Sequence, residues 1–153
     1  MTARRRKAEG AASAELYLAE PPASYRVLAP LVVDCSLLGA VLFDEPQSGD
    51  AQRTIAGRDL HAPTILDYEV VNVALKKSRL LQHDVATPSL EQYGNLPVRL
   101  HSVEVNAVAR LAQRYRLSAY DAAYLWLAEQ LKAPLATFDR RLGEAARQHL
   151  SAI

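Results

Sequence analysis

Four acids in this 153-residue chain, Asp34, Glu69, Asp121 and Asp139, occupy positions where a carboxylate is costly. Asp34 closes the apolar run Leu31-Val-Val, which reads as a strand covered on both faces, so its charge leaves water unless donors or a cation receive it. The structural alternative is an Asp capping a helix that begins near Ser36. Glu69 falls inside the apolar stripe Ile65, Leu66, Val70, Val73 and Ala74, while Asp67, Lys76 and Arg79 mark the outer face of the same helix. Its alternative is a boundary residue reaching out to water. Asp121 opens a helix apolar nearly all round, yet Ser118-x-x-Asp121 also fits a capping box. Asp139 follows one short apolar run and precedes a helix, which suits an N-cap equally well.

The elements that must position these acids alternate. A strand at Leu31–Asp34 leads to a helix over Ser36–Glu45 and a short helix over Gln47–Ala56. A brief strand at Leu60–Pro63 precedes a helix from Thr64 to Leu81, with Pro63 suited to its first turn. His83–Tyr93 reads as helical, interrupted by Pro88; Leu96–Leu100 reads as a strand and Val103–Tyr115 as a helix. Ser118–Leu131 is the clearest helix, followed by a strand at Pro134–Phe138 and a helix over Arg140–His149. This order predicts an α/β fold of three layers, with a central, mostly parallel sheet flanked by helices and any further edge strand missing or very short. In such sheets ligands bind beyond the carboxyl ends of the strands. Asp34 and Asp139 lie at that edge, and Asp121 and Glu69 sit early on helices that can face it. Carboxylates gathered there would raise one another's pKa values, a penalty that a hard divalent cation removes. Oxygen-only ligands point to Mg²⁺ or Mn²⁺.

Composition narrows the class. Residues 30–153 form one domain, and residues 1–29, rich in Ala and holding Pro21-Pro22, read as a flexible or docking extension with a helical turn at Ala14–Ala19. The tail carries Arg4, Arg5, Arg6 and Lys7 without an acid among them, whereas 13 Lys/Arg meet 14 Asp/Glu from residue 30 onward. That balance argues against a protein that coats DNA. Cys35 is the only cysteine, so no internal disulfide forms, and no Cys/His spacing suits zinc. No run approaches the roughly 20 apolar residues of a membrane span, and no secretory signal follows the basic start, so a cytoplasmic location is expected.

Three segments together resemble the PIN-domain nucleases, most closely the VapC-like toxins of bacterial toxin–antitoxin pairs. They are Leu31-Val-Val-Asp-Cys-Ser-Leu-Leu, then Pro63-Thr-Ile-Leu-Asp-Tyr-Glu-Val-Val-Asn-Val-Ala-Leu, and finally Leu117-Ser-Ala-Tyr-Asp-Ala-Ala-Tyr-Leu-Trp-Leu-Ala with Pro134-Leu-Ala-Thr-Phe-Asp-Arg-Arg-Leu. The likeness runs over about residues 31–150. It implies a Mg²⁺- or Mn²⁺-dependent endoribonuclease cutting single-stranded RNA, with Asp34, Glu69, Asp121 and Asp139 as the acidic set. Ser36 and Thr137 match polar positions beside the metal. The resemblance also implies an antitoxin partner and a homodimer. Basic residues near the acids, Lys76, Lys77 and Arg79 on one helix and Arg140 and Arg141 on another, could meet RNA. They equally suit solvated helix faces.

Other metal-using classes fit less well. A phosphoacceptor receiver needs an early acidic pair and a late strand-end Lys, and this late strand ends Thr137-Phe138-Asp139. A haloacid-dehalogenase-type phosphatase needs Asp-x-Asp where this chain has Asp34-Cys35-Ser36. No G-x-G-x-x-G supports a dinucleotide enzyme. The remaining alternative is a PIN scaffold that binds RNA or a protein without cutting.

Overall fold

The computed structural model describes residues 27–153; the tail expectations, including the helical turn at Ala14–Ala19, lie outside them. Four strands, β1 (Ala29–Val33), β2 (Arg58–Pro63), β3 (Val98–His101) and β4 (Leu135–Ala136), form one parallel sheet in the order β3-β2-β1-β4. Seven helices flank it among the described residues: α1 (Cys35–Leu42), α2 (Ser48–Ile55), α3 (Ile65–Leu81), α4 (Ala86–Gly94), α5 (Val105–Tyr115), α6 (Ala119–Leu131) and α7 (Arg140–Leu150). The core joins Leu31, Val32 and Val33 of β1 to Leu38 of α1, Leu66 and Val70 of α3, Leu125 and Leu127 of α6 and Leu142 of α7. No strand follows α7 among the described residues.

The strand order decides where a ligand can sit. From β1 the chain steps one way to β2 and β3, then β4 returns to the other side of β1. The direction reverses between β1 and β4, and a crevice opens at the carboxyl ends of strands flanking such a point. Asp34 directly follows β1, while Thr137 and Asp139 follow β4.

Several expected boundaries move for local reasons. The first helix ends at Leu42 rather than Glu45, because Asp44 turns into the left-handed region (φ 47°) and the Glu45 N–H bonds back to the Ala40 carbonyl. Pro88 does not interrupt α4, since it is the third residue of that helix, where its missing N–H has no helical partner to lose. β3 starts at Val98, because the Asn95 and Leu96 N–H groups still bond to Gln92 and Tyr93 carbonyls. α5 starts at Val105, capped by the Glu104 carboxylate through the Asn106 and Ala107 N–H groups. β4 is only two residues long, because the next backbone donors leave the ladder. Phe138 N–H goes to Ser36 Oγ (2.8 Å) and Asp139 N–H to Thr137 Oγ1 (2.9 Å).

Candidate metal centre

Asp34 is 5% exposed and held from three sides. It caps α1 by accepting from Leu37 N (3.0 Å), and it accepts the hydroxyls of Ser36 (2.8 Å) and Thr137 (2.5 Å). Both structural readings of this residue therefore hold at once: it is an N-cap and also a buried acid. Burial outweighs the three donors and raises its pKa above the usual carboxylate range, and Asp139 pushes the same way. Ser36 Oγ and Thr137 Oγ1 stand 3.2 Å apart across 101 residues of sequence. These two hydroxyls tie the β1–α1 corner to the β4–α7 corner.

Asp139 caps α7 through Leu142 N (2.8 Å). Asp121 completes the capping pattern at the start of α6: its N–H donates to Ser118 Oγ (3.0 Å), and its carboxylate accepts the Ser118 hydroxyl (2.8 Å). Glu69 is half-buried on α3 and accepts the Tyr124 hydroxyl of α6 at 2.5 Å. Burial raises its pKa, with Asp34 and Asp121 adding to the rise and the Tyr124 bond opposing it. Asp34 and Glu69 thus feel the other acids' charge: Asp139 acts on Asp34, and Asp34 and Asp121 act on Glu69.

The four are neighbours in the electrostatic sense without being a closed cage. Among the described residues no three His, Cys, Asp or Glu side chains come close enough together to hold a metal ion by themselves. No Lys, Arg or His forms a salt bridge with any of the four among those residues. A buried carboxylate such as Asp34, with only neutral donors and no cationic partner, is an unfinished arrangement. The donor set fits Mg²⁺, which keeps several waters and needs one or two carboxylates rather than an all-protein cage.

A cleft of about 500 Å³ opens beside these residues, lined by Cys35, Ser36, Glu45, Glu69, Asn72 and Phe138 among others. Asp34, Asp121 and Asp139 do not line it. A larger cleft, about 660 Å³, lies away from the acids, around Glu129, Lys132 and Pro134 at the amino end of β4. The candidate site is therefore singled out by its charge and not by the size of its cleft. Cys35, wedged among Glu69, Asp34 and Glu45, has its thiol pushed up to about 12, chiefly by burial, so it is not a thiolate nucleophile.

Tyr124 is the participant that sequence reasoning missed. It lies three residues after Asp121, one turn along α6, but on a helix this apolar an aromatic reads as core. Asn72, three residues after Glu69, was likewise detectable by helical spacing. Among the basic candidates, Arg140 is held by Glu144 (2.8 Å), and Lys77 pairs with Glu45 (2.7 Å) over the Phe43 ring. Arg141 donates to the Arg116 carbonyl. Lys76 is exposed two helical turns beyond Glu69.

A parallel sheet with acids at its switch point is the architecture of a PIN domain, and the PIN domain model matches residues 31–148. The chain belongs to this family. Ribonuclease VapC3 of Pyrobaculum aerophilum is 35% identical over 121 residues, covering 74% of this chain and 92% of the relative. Ribonuclease VapC9 of Mycobacterium tuberculosis is 35% identical over 123 residues, covering 76% and 91%. The crystal structure of PAE2754 from Pyrobaculum aerophilum superposes with a TM-score of 0.60 at 24% identity, covering 82% of this chain and 97% of that one. That of Mycobacterium tuberculosis VapC20, described as a sarcin-ricin loop cleaving toxin, gives 0.56 at 16% identity, covering 75% and 94%. No helix among the described residues is long and apolar enough to cross a membrane.

Proposed function

We propose that this chain is a divalent-metal-dependent endoribonuclease that cuts single-stranded RNA and serves as the toxin of a toxin–antitoxin pair. The observation that carries the reading is a set of mutually repelling carboxylates, Asp34 nearly buried, with no cationic partner among the described residues. The ribonuclease names of relatives at 35% identity support it. Asp34, Asp121, Asp139 and Glu69 would hold Mg²⁺ or Mn²⁺, directly or through water. The bound ion would polarise a phosphate oxygen and acidify a water for in-line attack.

The chain's own residues prepare that site. Ser36 and Thr137 fix both oxygens of Asp34, so its carboxylate cannot rotate freely. The Tyr124 hydroxyl holds Glu69 and favours its ionised, ligating form. Phe138, 43% exposed at the rim of the cleft, offers an apolar face to a base. An antitoxin would silence the site by placing an Arg or Lys among the acids, which lack a cation of their own. A homodimer belongs to the same proposal. Tyr68, Val71 and Leu75 form an exposed apolar row on α3, the kind of surface that a second copy covers.

The test is cleavage of a single-stranded RNA by the purified chain in Mg²⁺, with EDTA and the Asp34→Asn and Asp121→Asn variants as controls. Asn remains a competent N-cap at position 34, and at position 121 its side-chain oxygen still accepts the Ser118 hydroxyl, so the variants fold. Cleavage that EDTA abolishes and either substitution lowers at least a hundredfold supports the reading, a loss of about 2.7 kcal/mol or more in transition-state stabilisation. Undiminished cleavage by folded Asp34→Asn refutes the metal assignment. RNA binding without any cleavage would instead make the chain a non-catalytic scaffold.

A further inference from the structure

α5 and α6 are joined by three residues and pack side by side, and a cleft of about 450 Å³ opens between them, sharing Glu129 and Gln130 with the cleft that lies away from the acids. Arg110 and Arg114 of α5, Trp126, Glu129 and Gln130 of α6, and His149 of α7 line it. The two arginines are four residues apart, so they stand on one face with a rise of about 6 Å between them. Arg114 lies 5.2 Å over the Tyr115 ring, which orients its guanidinium. Arg110 approaches Glu104 only to 3.8 Å, both side chains being mostly exposed, so it is cheaply released. The one acid in the cleft is restrained: Glu129 bonds to His149 Nε2 (3.1 Å), whose Nδ1 bonds to the Tyr115 hydroxyl (3.0 Å). Trp126 is half-buried, and it sits about 7.5 Å along the α6 axis from Asp121 and about 140° around it, so the two face different sides of the helix.

An aromatic face flanked by two guanidinium groups is the chemistry that receives an unstacked base and its neighbouring phosphates. We infer that the α5–α6 cleft is a second RNA-binding subsite, in which Trp126 stacks one base of a single-stranded substrate while Arg110 and Arg114 hold its phosphates. This rests on the ribonuclease reading and deepens it. The cleft lies on a different face of α6 from the acids, so it takes nucleotides further along the strand from the scissile bond, which pass around α6 to reach the positive charge that the acids cannot offer. An acidic peptide could use the arginines but has no base to stack on the indole.

Trp126 is the only tryptophan of the chain, so its emission reports on this cleft alone. The intact protein in EDTA, which holds back metal-dependent cutting, is titrated with a short oligouridylate. A labelled copy of the same oligonucleotide gives binding by anisotropy. The inference predicts saturable quenching of Trp126 that follows the anisotropy. In the Arg110→Ala/Arg114→Ala variant, binding falls about tenfold at low salt and the slope of log K against log salt shrinks by about 1.4, two phosphates' worth. Trp126→Leu weakens binding by about tenfold, the loss of one stacked base. Binding without quenching, an arginine variant with unchanged affinity and slope, or equal quenching by polyglutamate overturns it. So does an arginine variant whose only change is in oligomer size. Cleavage in Mg²⁺ is scored separately on the same preparations. A chain that quenches but never cuts sinks the ribonuclease reading and keeps the subsite; one that cuts with a silent Trp126 does the reverse.

Discussion

Replacing Thr137 by Val removes one oxygen at the junction of the two sheet corners and little else. The Thr137 hydroxyl donates to Asp34 and accepts the Asp139 N–H at 2.9 Å. Asp34 is 5% exposed, so no water can take over the lost donor, and a hydrogen bond to a charged group contributes about 1.5–3 kcal/mol. Asp139 is exposed and its N–H can turn to water, adding little. Asp34 keeps Ser36 and Leu37 N, which limits the damage to about 2 kcal/mol. For a chain of this size that lowers Tm by about 4–8 °C. The methyl group of Thr137 faces Gly143, at 3.6 Å from where a Cβ would stand, and Val retains that contact. Thr137→Ser keeps the hydroxyl and loses the methyl, a cost of about 1 kcal/mol. Thermal unfolding of the three proteins in EDTA should therefore rank wild type, then Ser, then Val. A Val variant within about 1 °C of wild type, or more stable than Ser, would show that the hydroxyl does not anchor Asp34.

Tyr124→Phe should cost about 1–2 kcal/mol in denaturant unfolding, because Glu69 is only half-buried and water can partly replace the donor. It should also move the Glu69 carboxyl further up in pH by carbon-13 NMR, since the Tyr124 bond is what opposes burial there; an unmoved or lowered titration contradicts this. The pH dependence of the metal-free chain has a defined sign. Asp34 binds its proton more tightly folded than unfolded, so its stabilising contribution is whole below about pH 4 and is lost as pH rises through the raised folded value. Asp34→Asn lacks that loss, so in EDTA its stability relative to wild type should improve from about pH 4 toward pH 7. A difference independent of pH would mean that Asp34 pays no burial penalty.

Much of this architecture was legible because it is local. The β-branched run Leu31–Val33, the stripe around Glu69 and the apolar helix after Ser118 each carry their own periodicity, and the parallel sheet follows from alternating elements with short connections; the strand order β3-β2-β1-β4 is not encoded there. Asp34 showed as an acid at a strand end. What did not show is set by contacts across the chain. β4 is cut to two residues by the Phe138 N–H bond to a hydroxyl 102 residues away. Tyr124 looks like core until α3 lies beside α6 and Glu69 accepts its hydroxyl. The acids' failure to close into a three-ligand group is likewise a matter of ångströms, which spacing in a helix or strand does not encode.

The central claim is that these carboxylates form a divalent-cation site, and Mn²⁺ binding to the purified chain tests it without reference to RNA. Titration calorimetry, with electron paramagnetic resonance to count free ion, should find saturable Mn²⁺ binding that Mg²⁺ displaces. Asp34→Asn should weaken it at least tenfold, about 1.4 kcal/mol, while leaving a folded protein. Mn²⁺ binding of equal affinity in folded Asp34→Asn, or none in the wild type, would contradict the account.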